Sequence, residues 1–236
     1  MKIFLDAGHN YSGLGTGASG FGLREEMVSF AIASRLCALL KDAGHTVKMS
    51  REKLEDNVGK TSRESINLRA KMANEWGADL FVSIHCNAGG GKGAETLVYS
   101  KLGGASEMAN KVQNALVKNL GLVSRGVKKR PDLGVLRLTK CDAFLVETAF
   151  IDDENDAWLL KTEPEKFADA IFEGMTGVKP KKTEELSEIH DIVWEYAHRG
   201  LVTDSEGMEE EMRKNPNGRL YWLARKTLQY IRERNA

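Results

Sequence analysis

The chain has 236 residues, enough for one α/β domain with a small appendage, and 42% of them are hydrophobic, which supports a sizeable core. Its 34 basic and 34 acidic side chains cancel, so no global field steers nucleic acid or an anionic membrane toward it, and neither is expected as a partner. Three scattered cysteines, Cys37, Cys86 and Cys141, make neither a disulfide framework nor a cysteine zinc knuckle. The opening MKIFLDAGH lacks the apolar core of a secretory signal, and no run approaches the ~20 apolar residues of a membrane span. Synthesis in the cytoplasm without a signal peptide is therefore expected.

In chain order, KIFLDAG reads as a short buried strand, and EEMVSFAIASRLCALLKDAG as a helix closed by Gly44. HTVKMSR is a second strand. SRESINLRAKMANEWG is a helix with Leu68, Met72 and Trp76 on one stripe, and the apolar run of DLFVSIHCNA marks a central strand. GAETLVYS reads as a strand and GASEMANKVQNALVKNLG as a helix. LGVLRL and AFLVETAFI read as strands, and NDAWLLK and EKFADAIFEGMTG as helices.

Alternating strands and helices predict an α/β fold, a mostly parallel twisted sheet with helices on both faces. Ligands of such sheets bind at the carboxyl ends of the strands. His9 follows the first strand, His85 ends the third and Glu147 lies near the end of the last long one, so three chemically capable side chains arrive at one edge.

The loop between His9 and the first helix contains Gly15-Thr16-Gly17-Ala18-Ser19-Gly20, a literal G-x-G-x-x-G. A dinucleotide fingerprint needs its first glycine directly after the strand, a helix opening on the loop and an acid ending the second strand. Here six residues separate Gly8 from Gly15, five separate Gly20 from Glu26, and the second strand ends in Ser50 and Arg51. The match is read as a by-product of a glycine-rich loop that brings a helix start back over a strand end. Glu25 shares a stripe with Val28, Ile32, Leu36 and Leu39, whereas Glu26 lies about 100° away. Glu25 is thus the expected inward-facing ligand. With His9 and His85 it makes a two-histidine, one-carboxylate zinc site with an open position. Taken singly, each histidine has an equally good structural reading at a strand end; the three together favour a metal.

The segments IFLDAGHN, GLREEMVSFAIASRL, INLRAKMANEWGADLFVSIHCNA, GAETLVYS and RGVKKRPDLGVLRLTKCDAFLVETAFIDDENDAWL together resemble the zinc-dependent N-acetylmuramoyl-L-alanine amidases of the amidase type 3 family, from residue 2 to about 176. The resemblance implies His9, Glu25 and His85 as ligands of one Zn2+ and Glu147 as the catalytic glutamate. It implies peptidoglycan as the substrate, cut between muramic acid and L-alanine. Asp142 stands where the family commonly has Pro, Ala149 near a common Gly, and Glu26 where Lys is frequent. Asn10 and Asn87 flank the histidines and are expected either to bind substrate or orient ligands, or to make turn and strand-end hydrogen bonds. Arg51 and Arg69 are read as structural ion-pair partners, Cys86 as facing away from His85, and His45, His190 and His198 as remote from the edge.

Residues 1–177 are the expected catalytic domain, 178–185 a charged linker, and 186–236 a small helical domain carrying Trp194, Tyr196, Tyr221, Trp222 and Tyr230. Two readings stand for that domain. It is a cell-wall-binding module, by analogy with endolysins, or a helical pair whose aromatics fill its own core and dock on the main domain or a second copy, giving a homo-oligomer. The family likeness without a signal segment favours a phage endolysin released to the wall by a separate perforating protein. A bacterial autolysin, a mother-cell lysis enzyme, a non-catalytic peptidoglycan-binding protein and a nucleotide-dependent enzyme are the alternatives.

Overall fold

Six strands form one sheet in the order β4-β1-β5-β8-β6-β7. They are β1 (Lys2–Ala7), β4 (Thr46–Met49), β5 (Leu80–Asn87), β6 (Ala94–Val98), β7 (Ser124–Lys129) and β8 (Asp142–Phe150); β2 (Ser19–Gly20) and β3 (Leu23–Arg24) pair separately. All neighbours in the large sheet are parallel except β6 and β8. The computed structural model describes residues 1–100 and 102–180. The chain divides into Met1–Pro180 and Lys181–Ala236, so the expected helical domain, its wall-binding or oligomerisation role, and His190 and His198 lie outside the described residues.

Helices α1 (Glu25–Asp42), α3 (Gly104–Leu120) and α6 (Pro164–Thr176) pack together on one face. Val28, Ile32 and Leu36 of α1 are fully buried there, as their shared stripe requires. The opposite face carries α2 (Ser62–Trp76) and α4 (Gly134–Leu138), with α5 (Glu154–Thr162) following β8. Under α2 and α4 lies an apolar cluster of Phe4, Phe81, Leu97, Ala143 and Leu145, with Phe4 and Phe81 stacked at 5.9 Å. Each fully buried aromatic of this kind contributes about 1.5–3 kcal/mol by leaving water.

One expectation needs correction. LGVLRL is not a strand: Gly134–Leu138 is the helix α4, with Val135 and Leu136 buried. A Cβ on Gly134 would stand 2.5 Å from Ile66 Cγ2, so glycine lets α4 close on α2. The strand role belongs to Ser124–Lys129, whose apolar content is a single valine among cations. On α2 the expected stripe packs as read, Met72 and Trp76 lying half-buried against the cluster, while Ser65, Arg69, Ala70 and Ala73 are the buried positions. Arg69 has the structural ion-pair role expected of it.

Candidate metal centre

Strand periodicity sets the site. On the face that buries Phe81, β5 next presents Ser83 and then His85; on β8 the same face presents Ala143, Leu145 and then Glu147. His85 and Glu147 are register partners, and Glu147 is in turn opposite Glu95 of β6. The apolar rows thus become charged at the carboxyl edge of β5 and β8.

His9 leaves β1 in a left-handed backbone conformation, φ 65°. For a non-glycine residue this costs on the order of 1–3 kcal/mol, and surrounding bonds must hold it. Arg69 Nη2 donates to the His9 carbonyl and Nη1 to the Ala7 carbonyl, while Arg51 and Ser29 donate to Gly8 O. Arg69 also forms a buried ion pair with Asp6, 2.5 Å from Nη1 to Oδ1, and Ser83 Oγ donates to the other Asp6 oxygen at 2.7 Å. Burial alone would raise the Asp6 pKa; the Arg69 charge and the Ser83 hydroxyl hold it below its ordinary value. Arg51, fully buried, spends its guanidinium on the carbonyls of Ala7, Gly8, Leu54 and Glu26.

The glycine-rich loop closes over these groups. Gly15 O lies 3.3 Å from His9 Nδ1, which makes Nδ1 the protonated nitrogen and leaves the Nε2 lone pair facing inward. Ala18 N donates to Glu25 Oε2 at 2.9 Å, and Cys86 N to Glu25 Oε1 at 3.1 Å. Two glycines are sterically required: a Cβ on Gly8 would stand 2.4 Å from the His85 ring, and one on Gly17 would stand 2.6 Å from Glu25 Cβ. The loop's backbone is therefore spent on the His9 imidazole and the carboxylates of Glu25 and Glu26.

His9 Nε2, Glu25 Oε1 and His85 Nδ1 converge, with separations of 2.9 Å from Glu25 to each histidine and 3.1 Å between the histidines. Donors held about 2.0–2.1 Å from one ion at tetrahedral angles are ~3.3 Å apart. The triangle is slightly smaller than that and made of the right atoms, so the residues fit a zinc ion. Glu25 is buried, and His9 and His85 are half-buried. Burial would raise the Glu25 pKa, but hydrogen bonding from His85 and His9 holds it well below the ordinary carboxylate range. Burial likewise works against charge on His85, yet its bond to Glu25 raises its pKa. These shifts belong to a carboxylate crowded by nitrogen donors.

Glu147 differs from Glu25. Its Oε2 is buried and has no hydrogen-bond partner among the described residues. Burial pushes its pKa up to about 7 against the pull of His85, with Glu25 and Glu95 adding to the rise. A buried, unpaired carboxylate oxygen in register with a candidate ligand, with its pKa raised toward neutrality, is chemically able to take up and release a proton.

Among the other expected residues, Asn10 is buried and fully engaged: Oδ1 accepts from Val58 N and Arg69 Nη2, and Nδ2 donates to Leu14 O and Gly59 O. Asn87 is half-buried at a register shift, its Oδ1 accepting from Ala88 N. Cys86 lies on the opposite face with Sγ 3.5 Å from Thr148 Oγ1, and burial pushes its thiol pKa well up. Glu26 is buried like Glu25, not turned outward, but its carboxylate is occupied by Arg24 and Gly17 N. The sequence reading did not single out Glu95, which binds Arg125 and Lys128. Nor did it single out the strap 88–93 that carries the chain from β5 across β8 to β6. That strap is pinned: Gly89 and Gly90 N donate to Asp152 Oδ2, Gly93 N to Asp156 Oδ2, and Gly91 lies on the Phe150 ring.

The family model for N-acetylmuramoyl-L-alanine amidase, amidase type 3, matches residues 3–177. The chain belongs to this amidase family. It is 36% identical over 163 residues to the sporulation-specific N-acetylmuramoyl-L-alanine amidase of Bacillus subtilis, covering 69% of this chain and 61% of the relative. It is 36% identical over 181 residues to the endolysin of Bacillus phage SPP1, covering 73% and 62%. The chain thus spans less than two thirds of the length of either relative. Among solved structures, the amidase AmiC2 of Nostoc punctiforme superposes with a TM-score of 0.65 at 27% identity, covering 75% of this chain and 96% of that one. No helix among the described residues of this family member is long and apolar enough to cross a membrane.

Proposed function

We propose that the protein is a zinc-dependent N-acetylmuramoyl-L-alanine amidase that hydrolyses the amide between N-acetylmuramic acid and L-alanine in peptidoglycan. The observation that carries the reading is the convergence of His9 Nε2, Glu25 Oε1 and His85 Nδ1 beside the unpaired Oε2 of Glu147. In this reading His9, Glu25 and His85 are the ligands of one Zn2+. A bound zinc ion supplies Lewis acidity toward the amide carbonyl and acidifies water to a pKa of about 7. Glu147 Oε2 accepts a proton from the attacking water and delivers it to the departing amide nitrogen, whose resonance otherwise makes it a poor leaving group. Gly15 fixes the His9 tautomer through Nδ1, and Arg69 fixes its backbone. Asn10, with every polar side-chain atom engaged, orients the ligand-bearing segments, while Asn87, whose Oδ1 caps its own strand end, keeps its Nδ2 for the substrate or for orienting the His85 segment.

The test uses isolated peptidoglycan and purified, zinc-loaded protein. New amino-terminal L-alanine, without new reducing sugar, is the expected product; release of sugar ends or internal peptide ends instead would refute the reading. We further propose that the protein acts as a phage endolysin, made in the cytoplasm and reaching the wall after membrane perforation; its likeness to the SPP1 endolysin supports this. The equal identity to the sporulation amidase supports mother-cell lysis as the second reading. Expression in a bacterial host separates endolysin from secreted autolysin: an endolysin lyses cells only when a membrane-perforating protein is co-expressed.

A further inference from the structure

The row of charged residues does not stop at Glu147. Across the sheet on one face run His85, Glu147, Glu95 and then the cations of β7. β7 is irregular here: two residues, Arg125 and Gly126, oppose Glu95 alone, and Gly126 takes the positive φ, 75°, that such a bulge needs. The bulge aims Arg125 and Lys128 at one carboxylate. Arg125 Nε donates to Glu95 Oε2 at 2.8 Å, and Lys128 Nζ reaches the same oxygen. Two cations share one anion, leaving one positive charge in excess beside the site. The paired cations hold the Glu95 carboxyl below its ordinary pKa against the effect of burial, so it serves them as a fixed anchor.

Arg125 is built as a receptor. Its guanidinium carbon lies 4.9 Å from the centroid of the Phe150 ring, and Nε is tied to Glu95, which fixes the plane of the fork. Among the described residues it hydrogen-bonds through Nε alone, which leaves both terminal nitrogens without a protein partner, and the side chain is 35% exposed. A stacked, tethered guanidinium with two unused parallel donors matches a carboxylate in bidentate fashion, with its ordering cost already met. In a muramoyl peptide, the acid of the muramoyl group is consumed in the amide being cut. Free carboxylates therefore lie on the peptide side. Glu95 is two strand spacings from β5, about 10 Å, which is about three residues of extended peptide.

We propose that Arg125, anchored by Glu95 and seconded by Lys128, is a specificity-determining residue that binds a free carboxylate of the stem peptide about two to three residues beyond the scissile amide. The proposal rests on the amidase reading. It also fixes the direction of the substrate, with the peptide running over β8, β6 and β7 and the glycan toward His9 and the glycine loop.

The experiment uses zinc-loaded full-length protein and two synthetic muramoyl peptides that differ only in a carboxylate or carboxamide at the second and third residues. The expected result is a KM about tenfold or more lower for the acid in the native enzyme, the size of one charged hydrogen-bonded contact. Arg125→Gln should collapse that preference, and Arg125→Lys, which keeps the charge but loses the fork, should retain part of it. Equal KM values in the native enzyme, or a full preference surviving in Arg125→Gln, would overturn the proposal. Should the glutamine variant fold poorly, the native enzyme still decides: the preference for the acid must shrink as salt rises from about 0.1 M to 1 M. A native protein that cuts neither peptide refutes the amidase reading itself.

Discussion

Glu25 Oε1 stands 2.9 Å from both His9 Nε2 and His85 Nδ1, although Glu25 is 16 positions from His9 and 60 from His85 in the chain. Three donors this close, two of them held at strand ends and one at a helix start, are preorganised for a cation. The first expectation is that purified protein carries about one zinc per chain and that chelation removes it and the activity together. His9→Ala and Glu25→Ala should lower zinc occupancy measured by elemental analysis. Metal at about 100 times its dissociation constant should stabilise the native protein by roughly 2.7 kcal/mol in thermal unfolding, and the variants by less. Full occupancy in both variants would remove these residues from the ligand set.

Glu147→Gln should keep zinc and lose activity by about 100- to 10,000-fold. It should also be more stable than the native protein when both are metal-free at pH 8. A buried carboxyl whose folded pKa is about 7 binds protons more tightly than its unfolded counterpart at about 4.5. Its burial therefore destabilises the fold at alkaline pH, and the penalty disappears as pH falls below the unfolded value. The expected gain is on the order of 1–3 kcal/mol at pH 8, shrinking toward zero near pH 4. Denaturant melts at the two pH values provide the measurement, and an unchanged difference would contradict the unpaired state of Oε2.

Arg69→Met should cost about 3–5 kcal/mol, because it strands the Asp6 carboxylate in the core and releases the His9 carbonyl. The same pair gives an acid dependence of opposite sign to Glu147. Asp6 has a depressed folded pKa, so its contribution is complete above the unfolded value of about 3.8 and is lost as pH falls below it. Glu95, also depressed by Lys128 and Arg125, acts in the same direction below about 4.5. Native protein should lose stability steeply below about pH 4.5, and Arg69→Met should lose less of it there.

Gly8→Ala should lower zinc occupancy without deleting any donor atom. Its new methyl would stand 2.4 Å from the His85 ring, nearer than any tolerable contact, so the imidazole must move. Gly22→Ala, with open space around it but a strained φ of 77°, is the control: it should cost about 1 kcal/mol of stability and leave metal content intact. Equal metal content in both variants would mean that the His85 ring is not held by Gly8.

Much of this arrangement was readable from the chain because strand periodicity and edge position are local signals. The run ending in His85, the helix beginning at Glu25 and the residue after the first strand are each legible alone, and parallel topology places their ends together. What escaped was decided by charge pairing between distant segments. Ser124–Lys129 looks like a solvated basic stretch until Glu95 is seen to hold two of its cations, and LGVLRL has strand composition but packs as a helix turn against α2. Arg69 reads as a structural ion-pair partner, but nothing local to it announces that its partner is Asp6 in the core.

The strap from Ala88 to Gly93 hops over the end of β8 because β6 runs antiparallel to β8 and β5, which lets the crossing stay short. Two aspartates and an aromatic ring immobilise it. This flank of the site is therefore set when the chain folds, and an incoming stem peptide spends none of its interaction energy on freezing it. Homologues with a longer or looser crossing at this point would trade that readiness for a broader choice of what enters.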